Sequence, residues 1–131
     1  MNMNHGIIVL TFMILGHLLA DYPLQGWLAT AKSKLYWKQS GNEKTKFDYI
    51  PALICHAAMW GILIFIPLVV WFPYEYMVGW FWIALPINIL IHAIVDDLKA
   101  NKQILNLWQD QLIHLGQIIV TWVIWLLAFW L

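Results

Sequence analysis

Three pairs of ionisable side chains lie inside strongly apolar stretches of this sequence. Each pair combines a histidine and an aspartate four residues apart: His17 with Asp21, His92 with Asp96, and Asp110 with His114. Residues at this spacing share one face of an α-helix, so each pair would present an imidazole beside a carboxylate. His56 stands alone in a further apolar stretch. Ionisable residues are costly to bury in an apolar span and therefore indicate function.

Imidazole and carboxylate groups together suit zinc, manganese or iron, with no need for cysteine. The sequence therefore predicts a site for one or two divalent transition metal ions, zinc first, with manganese or iron as alternatives. The candidate ligands are His17, Asp21, His56, His92, Asp96, Asp110 and His114. Those that do not bind metal directly would orient the histidines. The same side chains could instead form hydrogen bonds that only hold helices together.

The rest of the composition is that of an integral membrane protein. Of 131 residues, 63% are hydrophobic and 11% are charged, and the net charge is zero. Ordinary globular domains are about one quarter charged. This composition excludes a typical soluble enzyme and a disordered chain, and the lack of a basic excess excludes a nucleic-acid partner.

Four stretches reach the length of about 20 apolar residues that a transmembrane helix needs. They cover about 7–27, 50–72, 77–98 and 107–131. They predict an all-α membrane protein, a compact four-helix bundle in which residues 1–131 form a single domain. The loop at about 28–49 has room for a short interfacial helix at 31–37.

Individual residues predict where the helices begin and end. Pro73–Tyr76 is expected to form a tight turn between the second and third spans. Asn106 and Gln109 have the spacing of a capping box at the start of the fourth span. Pro23 either breaks the first helix beside Asp21 or marks its end.

Every lysine falls either in the loop 28–49 or in the connection 99–106. The positive-inside rule then predicts a multi-pass membrane protein with both lysine-bearing loops cytoplasmic and both termini outside. In this orientation all four helices carry their histidines and aspartates at one depth, in the cytoplasmic half of the membrane. A signal peptide is not expected, because Met1–Gly6 contain no lysine or arginine.

The ordered motifs resemble the family called domain of unknown function 3307, which comprises small bacterial and phage integral membrane proteins. The likeness spans nearly the whole chain and rests on the stretches Gly16–Gln25 (GHLLADYPLQ), His56, Ile91–Asp96 (IHAIVD) and Asp110–His114 (DQLIH). The resemblance implies a compact multi-span helical domain in the bacterial inner (cytoplasmic) membrane and brings no established activity. More distantly, the ligand types are similar to those of intramembrane metal-dependent hydrolases that act on lipids.

Three functions are compatible with this pattern. The first is a metal-dependent hydrolase that cleaves a lipid or lipid-linked ester or phosphoester at the cytoplasmic leaflet, with Asp21 or Asp110 as general base. Its substrate would contact Lys32, Lys34, Lys99, Lys102 and Gln25. The second is a transporter or channel for protons or divalent cations. The third is a non-enzymatic membrane interaction protein whose histidines and aspartates are structural. Membrane lipids, and a second copy of the chain in a homo-oligomer, are the expected partners.

Overall fold

The computed structural model describes residues 3–39, 41–71 and 74–130, and this part of the chain contains helices and no strands. The elements are α1 (Met3–Asp21), α2 (Leu28–Ala31), α3 (Lys34–Gln39), a 3-10 turn (Glu43–Thr45), α4 (Tyr49–Val70), α5 (Tyr74–Ala100) and α6 (Leu107–Trp130). By length and composition, α1, α4, α5 and α6 could each cross a membrane. The predicted fold class, with short helices after the first span, is confirmed.

The first helix is shorter at its end than the sequence predicts. It ends at Asp21 instead of near Trp27, and the intervening residues form turns. Pro23 has no backbone N–H and therefore cannot continue the hydrogen-bond ladder of the helix. Gly26 then adopts a positive φ of 48°, a conformation that favours glycine. Pro23 thus marks the end of α1 and leaves Asp21 on its last turn.

The other helix ends show one difference and one agreement. The tight turn predicted for Pro73–Tyr76 is not found at Tyr74–Tyr76, because α5 already begins at Tyr74. Pro73 lies outside the described residues. The start of α6 has the predicted capping box. Asn106 Oδ1 accepts a hydrogen bond of 2.9 Å from the Gln109 backbone N–H, and Gln109 Oε1 accepts one of 3.0 Å from the Asn106 backbone N–H.

The four long helices form a closed bundle in which α4 packs against α1 and α5, and α6 contacts the same two helices. Glycine permits the closest approaches. A Cβ on Gly16 of α1 would lie 2.8 Å from the Leu63 carbonyl oxygen of α4. A Cβ on Gly61 of α4 would lie 2.6 Å from Ile89 Cγ1 of α5. Small residues commonly allow such close helix contacts in membranes.

The interior of the bundle is apolar along one part of its length and polar at one end. One part is a core of buried apolar side chains: Val9, Met13, Trp60, Ile64, Phe65, Leu68, Ile118 and Trp125. The other part, at the end of the bundle that bears the lysines, contains buried histidines and aspartates. Large apolar side chains such as Trp82 and Ile83 are exposed on the outside, as suits a surface in contact with lipid.

Candidate metal centre

The ionisable side chains predicted to form a site converge inside the lysine-bearing end of the bundle. α1 supplies His17 and Asp21, α4 supplies His56, α5 supplies His92 and Asp96, and α6 supplies Asp110 and His114. All of these side chains are buried, and the most exposed of them, that of Asp21, is 6% exposed. The convergence follows from chain direction, because α1 and α5 end where α4 and α6 begin.

The first candidate group joins α1, α4 and α5. Asp21 Oδ1 lies 3.4 Å from His56 Nε2 and 3.8 Å from His92 Nε2, and the two nitrogens lie 3.3 Å apart. A tetrahedral zinc ion with bonds of about 2.1 Å holds its ligand atoms about 3.4 Å from one another. Asp21 Oδ1 is also buried without a hydrogen bond, which is costly for a carboxylate oxygen. This triangle of atoms therefore has the dimensions of a metal site.

The second candidate group joins α5 and α6 through His92, Asp96 and His114. His114 Nε2 lies 3.6 Å from Asp96 Oδ1, and His92 Nε2 lies 3.9 Å from Asp96 Oδ2. Because His92 Nε2 has one lone pair, His92 can complete only one of the two groups at a time. Asp96 Oδ2 already accepts a hydrogen bond of 2.6 Å from Lys32 Nζ. The first group is consequently the better metal site.

His17 and Asp110 lie beside these groups and belong to neither of them among the described residues. His17 Nδ1 accepts a hydrogen bond of 2.9 Å from Trp60 Nε1 and lies 3.5 Å from Asp21 Oδ2. Asp110 Oδ1 lies 3.4 Å from His114 Nε2. Both residues are placed to orient the potential ligands or to move a proton rather than to bind the same ion.

Two of the lysines expected to contact substrate are paired with carboxylates of the cluster. Lys32 Nζ donates to Asp96 Oδ2 and Lys99 Nζ donates to Asp110 Oδ2, each at 2.6 Å. Lys32 is only 7% exposed, so its ammonium group faces the interior of the bundle. The sequence alone does not predict this arrangement, because a loop lysine that folds inward has no distinguishing sequence pattern.

These pairings leave one carboxylate without a compensating cation. With neutral imidazoles, the cluster contains three carboxylates and two ammonium groups, and the unpaired charge lies on Asp21. Asp21 Oδ2 accepts a hydrogen bond of 3.1 Å from the neutral amide of Gln111. Removing an uncompensated charge from water costs several kcal/mol. A divalent cation in the triangle, or a proton on one imidazole, would offset it.

The remaining side chains expected to contact substrate lie at the edge of the cluster. Lys34 and Lys102 are exposed, and Lys102 Nζ lies 3.6 Å from Asp97 Oδ2. Gln25 Nε2 donates a hydrogen bond of 2.6 Å to the main-chain oxygen of Asp21 and so helps to close the end of α1. Their role in substrate binding stays a prediction.

Trp60 contacts the cluster, although it is not among the candidate site residues identified from the sequence. Its indole stacks on the imidazole of His92, with ring centroids 4.2 Å apart, and His92 stacks on His114 at 4.0 Å. The Nδ1 atoms of His56, His92 and His114 form no hydrogen bond within the described part of the chain. Ring packing therefore sets the orientation of His92 and His114. The available sequence signal was that Trp60 lies one helical turn after His56.

Gln111 is a second contact that the sequence analysis missed. Its Nε2 donates to Asp21 Oδ2 and to Asp110 Oδ2, at 3.1 Å in each case. The amide thereby joins carboxylates of α1 and α6 at the edge of the cluster. Its position directly after Asp110 in an apolar span was the signal that could have identified it.

Comparison with known protein families gives a match over most of the chain. A family model described as "Protein of unknown function (DUF3307)" matches residues 9–130, which is nearly the whole chain. No curated protein and no solved structure matches it.

Proposed function

The chain belongs to the DUF3307 family of proteins of unknown function, and we propose that it is a membrane metalloenzyme that hydrolyses a lipid or lipid-linked ester or phosphoester. The triangle of Asp21 Oδ1, His56 Nε2 and His92 Nε2 is the observation that carries this proposal. Two histidines and one carboxylate are a ligand set of catalytic zinc sites, which keep a further position for water or substrate. Zinc is therefore the first expected metal, with manganese and iron as alternatives.

A metal ion held in this triangle would polarise the ester or phosphoryl oxygen and acidify a bound water molecule. The water oxygen would form a bond to the carbonyl carbon or the phosphorus, and the bond to the leaving oxygen would break. Asp110, whose Oδ1 is buried without a hydrogen bond and lies 3.4 Å from His114 Nε2, would accept the proton from water. It would then pass that proton to the leaving alcohol. Asp110 takes the general-base role because Asp21 is used as a ligand.

A lipid substrate is favoured by the surroundings of the cluster. Asp21 lies at the edge between α1 and α6, where the next residue, Tyr22, is exposed. Tyr22 Oη donates a hydrogen bond of 3.4 Å to Gln111 Oε1, and Gln111 contacts Asp21 in turn. A lipid in the surrounding membrane would reach the metal through this edge. The positive-inside rule favours the cytoplasmic leaflet for the lysine-bearing end, in what we propose to be the bacterial inner membrane.

The packing of the bundle favours hydrolysis over transport. Beyond the cluster, Asn88 Oδ1 accepts hydrogen bonds from Gln117 Nε2 at 2.9 Å and from Thr121 Oγ1 at 3.0 Å. The rest of the described interior is apolar core, with buried side chains such as Ile64 and Leu68. A conduction path for protons or cations needs polar groups through the full thickness of the membrane. This bundle supplies them in only one part of its interior.

Metal content is the decisive measurement. Protein purified in detergent and supplied separately with zinc, manganese or iron should retain a stoichiometric transition metal by elemental analysis. Asp21→Asn and His92→Ala should abolish retention, because each removes one atom of the triangle. Asp97→Asn and His5→Ala are matched controls, since both residues lie outside the two candidate groups, and both variants should retain metal. Metal-free wild-type protein, or equal loss in the controls, would reduce the cluster to a structural role.

Activity is tested separately with defined probes. Protein in nanodiscs should cleave p-nitrophenyl butyrate, bis(p-nitrophenyl) phosphate or a fluorescent phosphatidylglycerol, and removal of metal by a chelator should stop the cleavage. Asp110→Asn should bind metal and lose turnover, because it removes the proton acceptor without removing a ligand. Stoichiometric metal with no turnover of any probe, combined with cation flux into proteoliposomes, would favour transport.

A further inference from the structure

A second feature of the lysine-bearing end is a surface cavity of about 490 Å³ beside α3 and the start of α4. Three cationic and three aromatic side chains line it: Lys34, Lys38, Lys46, Trp37, Phe47 and Tyr49. None of these residues belongs to the groups that could hold a metal. The combination of lysine with aromatic rings is typical of the headgroup level of a membrane.

The charge of this cavity favours an anion. Glu43 is the one acidic residue that lines its described wall, and it pairs with Lys46 across 3.0 Å. Both partners are largely exposed, so this ion pair is weak. Lys34 Nζ lies 4.8 Å from the centre of the Tyr49 ring. The remaining excess of positive charge would attract a phosphate group.

A partly apolar groove continues from the same cavity. A second depression of about 290 Å³ shares Lys34 and Tyr49 with the first and runs between α4 and α5. Its walls are Ile50 and Leu53 of α4 and Ala93 and Ile94 of α5, and the paired side chains of Asp97 and Lys102 lie at its polar edge. Ile50 and Ile94 are exposed on the outer surface of the bundle. The groove is therefore open on the side that would face acyl chains.

We infer that this composite surface is a binding site for an anionic phospholipid, separate from the metal centre. The headgroup phosphate contacts Lys34, Lys38 and Lys46, and an acyl chain lies along the groove between α4 and α5. A free phosphate would use the lysines alone and leave the groove unused. The adjacent apolar walls thus favour a lipid over a soluble anion.

Competition between lipids tests this inference. Purified protein is mixed with equal amounts of phosphatidylglycerol and phosphatidylcholine that have identical chains, and bound lipids are counted by native mass spectrometry. Wild-type protein should retain phosphatidylglycerol in preference. Lys38→Gln should weaken this binding about fivefold, the effect of one lysine near an anionic surface. Lys44→Gln removes the same charge from the same loop outside the cavity wall and should leave binding unchanged.

A variant that is expected to strengthen lipid binding provides a second test. Glu43→Gln removes the acidic residue and releases Lys46, so it should strengthen binding of phosphatidylglycerol. Equal retention of the two lipids by wild-type protein, or an equal effect of Lys38→Gln and Lys44→Gln, would overturn the site. Displacement of the lipid by glycerol phosphate, which has no acyl chain, would show a soluble anion site instead.

The result does not depend on the metal. His92→Ala should lose metal and keep the preference for phosphatidylglycerol, whereas Lys38→Gln should keep its metal content and weaken lipid binding. Failure of the lipid preference alone would overturn this inference and leave the metalloenzyme proposal standing. Failure of metal binding alone would overturn the metalloenzyme proposal and leave the lipid site standing.

Discussion

Trp60 of α4 lies nearly parallel to His92 of α5, with ring centroids 4.2 Å apart and an interplanar angle of 21°. The same indole donates its Nε1–H to His17 Nδ1 of α1 at 2.9 Å. One side chain thus sets the positions of two imidazoles from two other helices. It also lies at the junction where the apolar core meets the polar cluster.

Trp60→Leu should therefore weaken metal binding although Trp60 offers no ligand atom. Loss of a residue that orients a ligand typically costs 10–100-fold in metal affinity, and we expect about that increase in the metal dissociation constant. Trp60→Phe keeps a ring on His92 and should retain most of the affinity. Trp82→Leu, at an exposed position of α5, is the control and should leave metal affinity unchanged. Equal losses for Trp60→Phe and Trp60→Leu would assign the effect to the hydrogen bond with His17.

Lys32 should be essential for stability because it pairs with the buried carboxylate of Asp96. Lys32→Met leaves that carboxylate unpaired, and breaking a buried pair in this way costs about 3–5 kcal/mol. Lys102→Met breaks a longer and exposed contact with Asp97, which should cost about 1 kcal/mol or less. Denaturant unfolding in mixed micelles measures both values. The double variant Lys32→Met/Asp96→Leu should recover stability, and its failure to do so would contradict the charge-pairing explanation.

Gly16 should tolerate no side chain, whereas Gly116 should accept one. In Gly16→Ala the added Cβ would meet the Leu63 carbonyl oxygen at 2.8 Å, forcing α1 away from α4. We expect a loss of about 1–3 kcal/mol, the usual range for overpacking, together with lower metal occupancy because His17 follows directly. A Cβ on Gly116 has nothing within 4 Å, so Gly116→Ala should be neutral or stabilising by up to about 1 kcal/mol. Similar destabilisation in both variants would mean that the close contact with Leu63 does not limit α1.

Much of the fold could be predicted because it depends on local properties of the chain. Hydropathy and length identified the four long helices, and the Asn106–Gln109 spacing correctly predicted the start of α6. The prediction of the helix ends was less accurate than that of the helices themselves. Pro23 ends α1 earlier than the apolar stretch suggested, and Tyr74 already belongs to α5. At the end of α1 the missing N–H of Pro23, which hydropathy does not register, explains the difference.

The sequence predicted which residues form the candidate site better than it predicted which of their atoms lie close together. The four-residue spacing of His17 with Asp21, and of His92 with Asp96, is a periodic property of one helix, so the shared face follows from sequence. Which atoms meet depends on how each helix rotates against its neighbours. That rotation separates His17, bonded to Trp60, from the triangle that contains Asp21.

The sequence alone therefore determined that histidines and aspartates from four helices lie at one end of the bundle. The length of each span, the direction in which the chain crosses it and the residues that share a helical face all follow from the local sequence. Tertiary structure alone decided how the charges are distributed. The path of the loop brings Lys32 inward to Asp96, the end of α5 brings Lys99 to Asp110, and Asp21 is left with a neutral amide. These long-range contacts determine which carboxylate remains able to bind a cation, because only an uncompensated buried charge gains substantially from one.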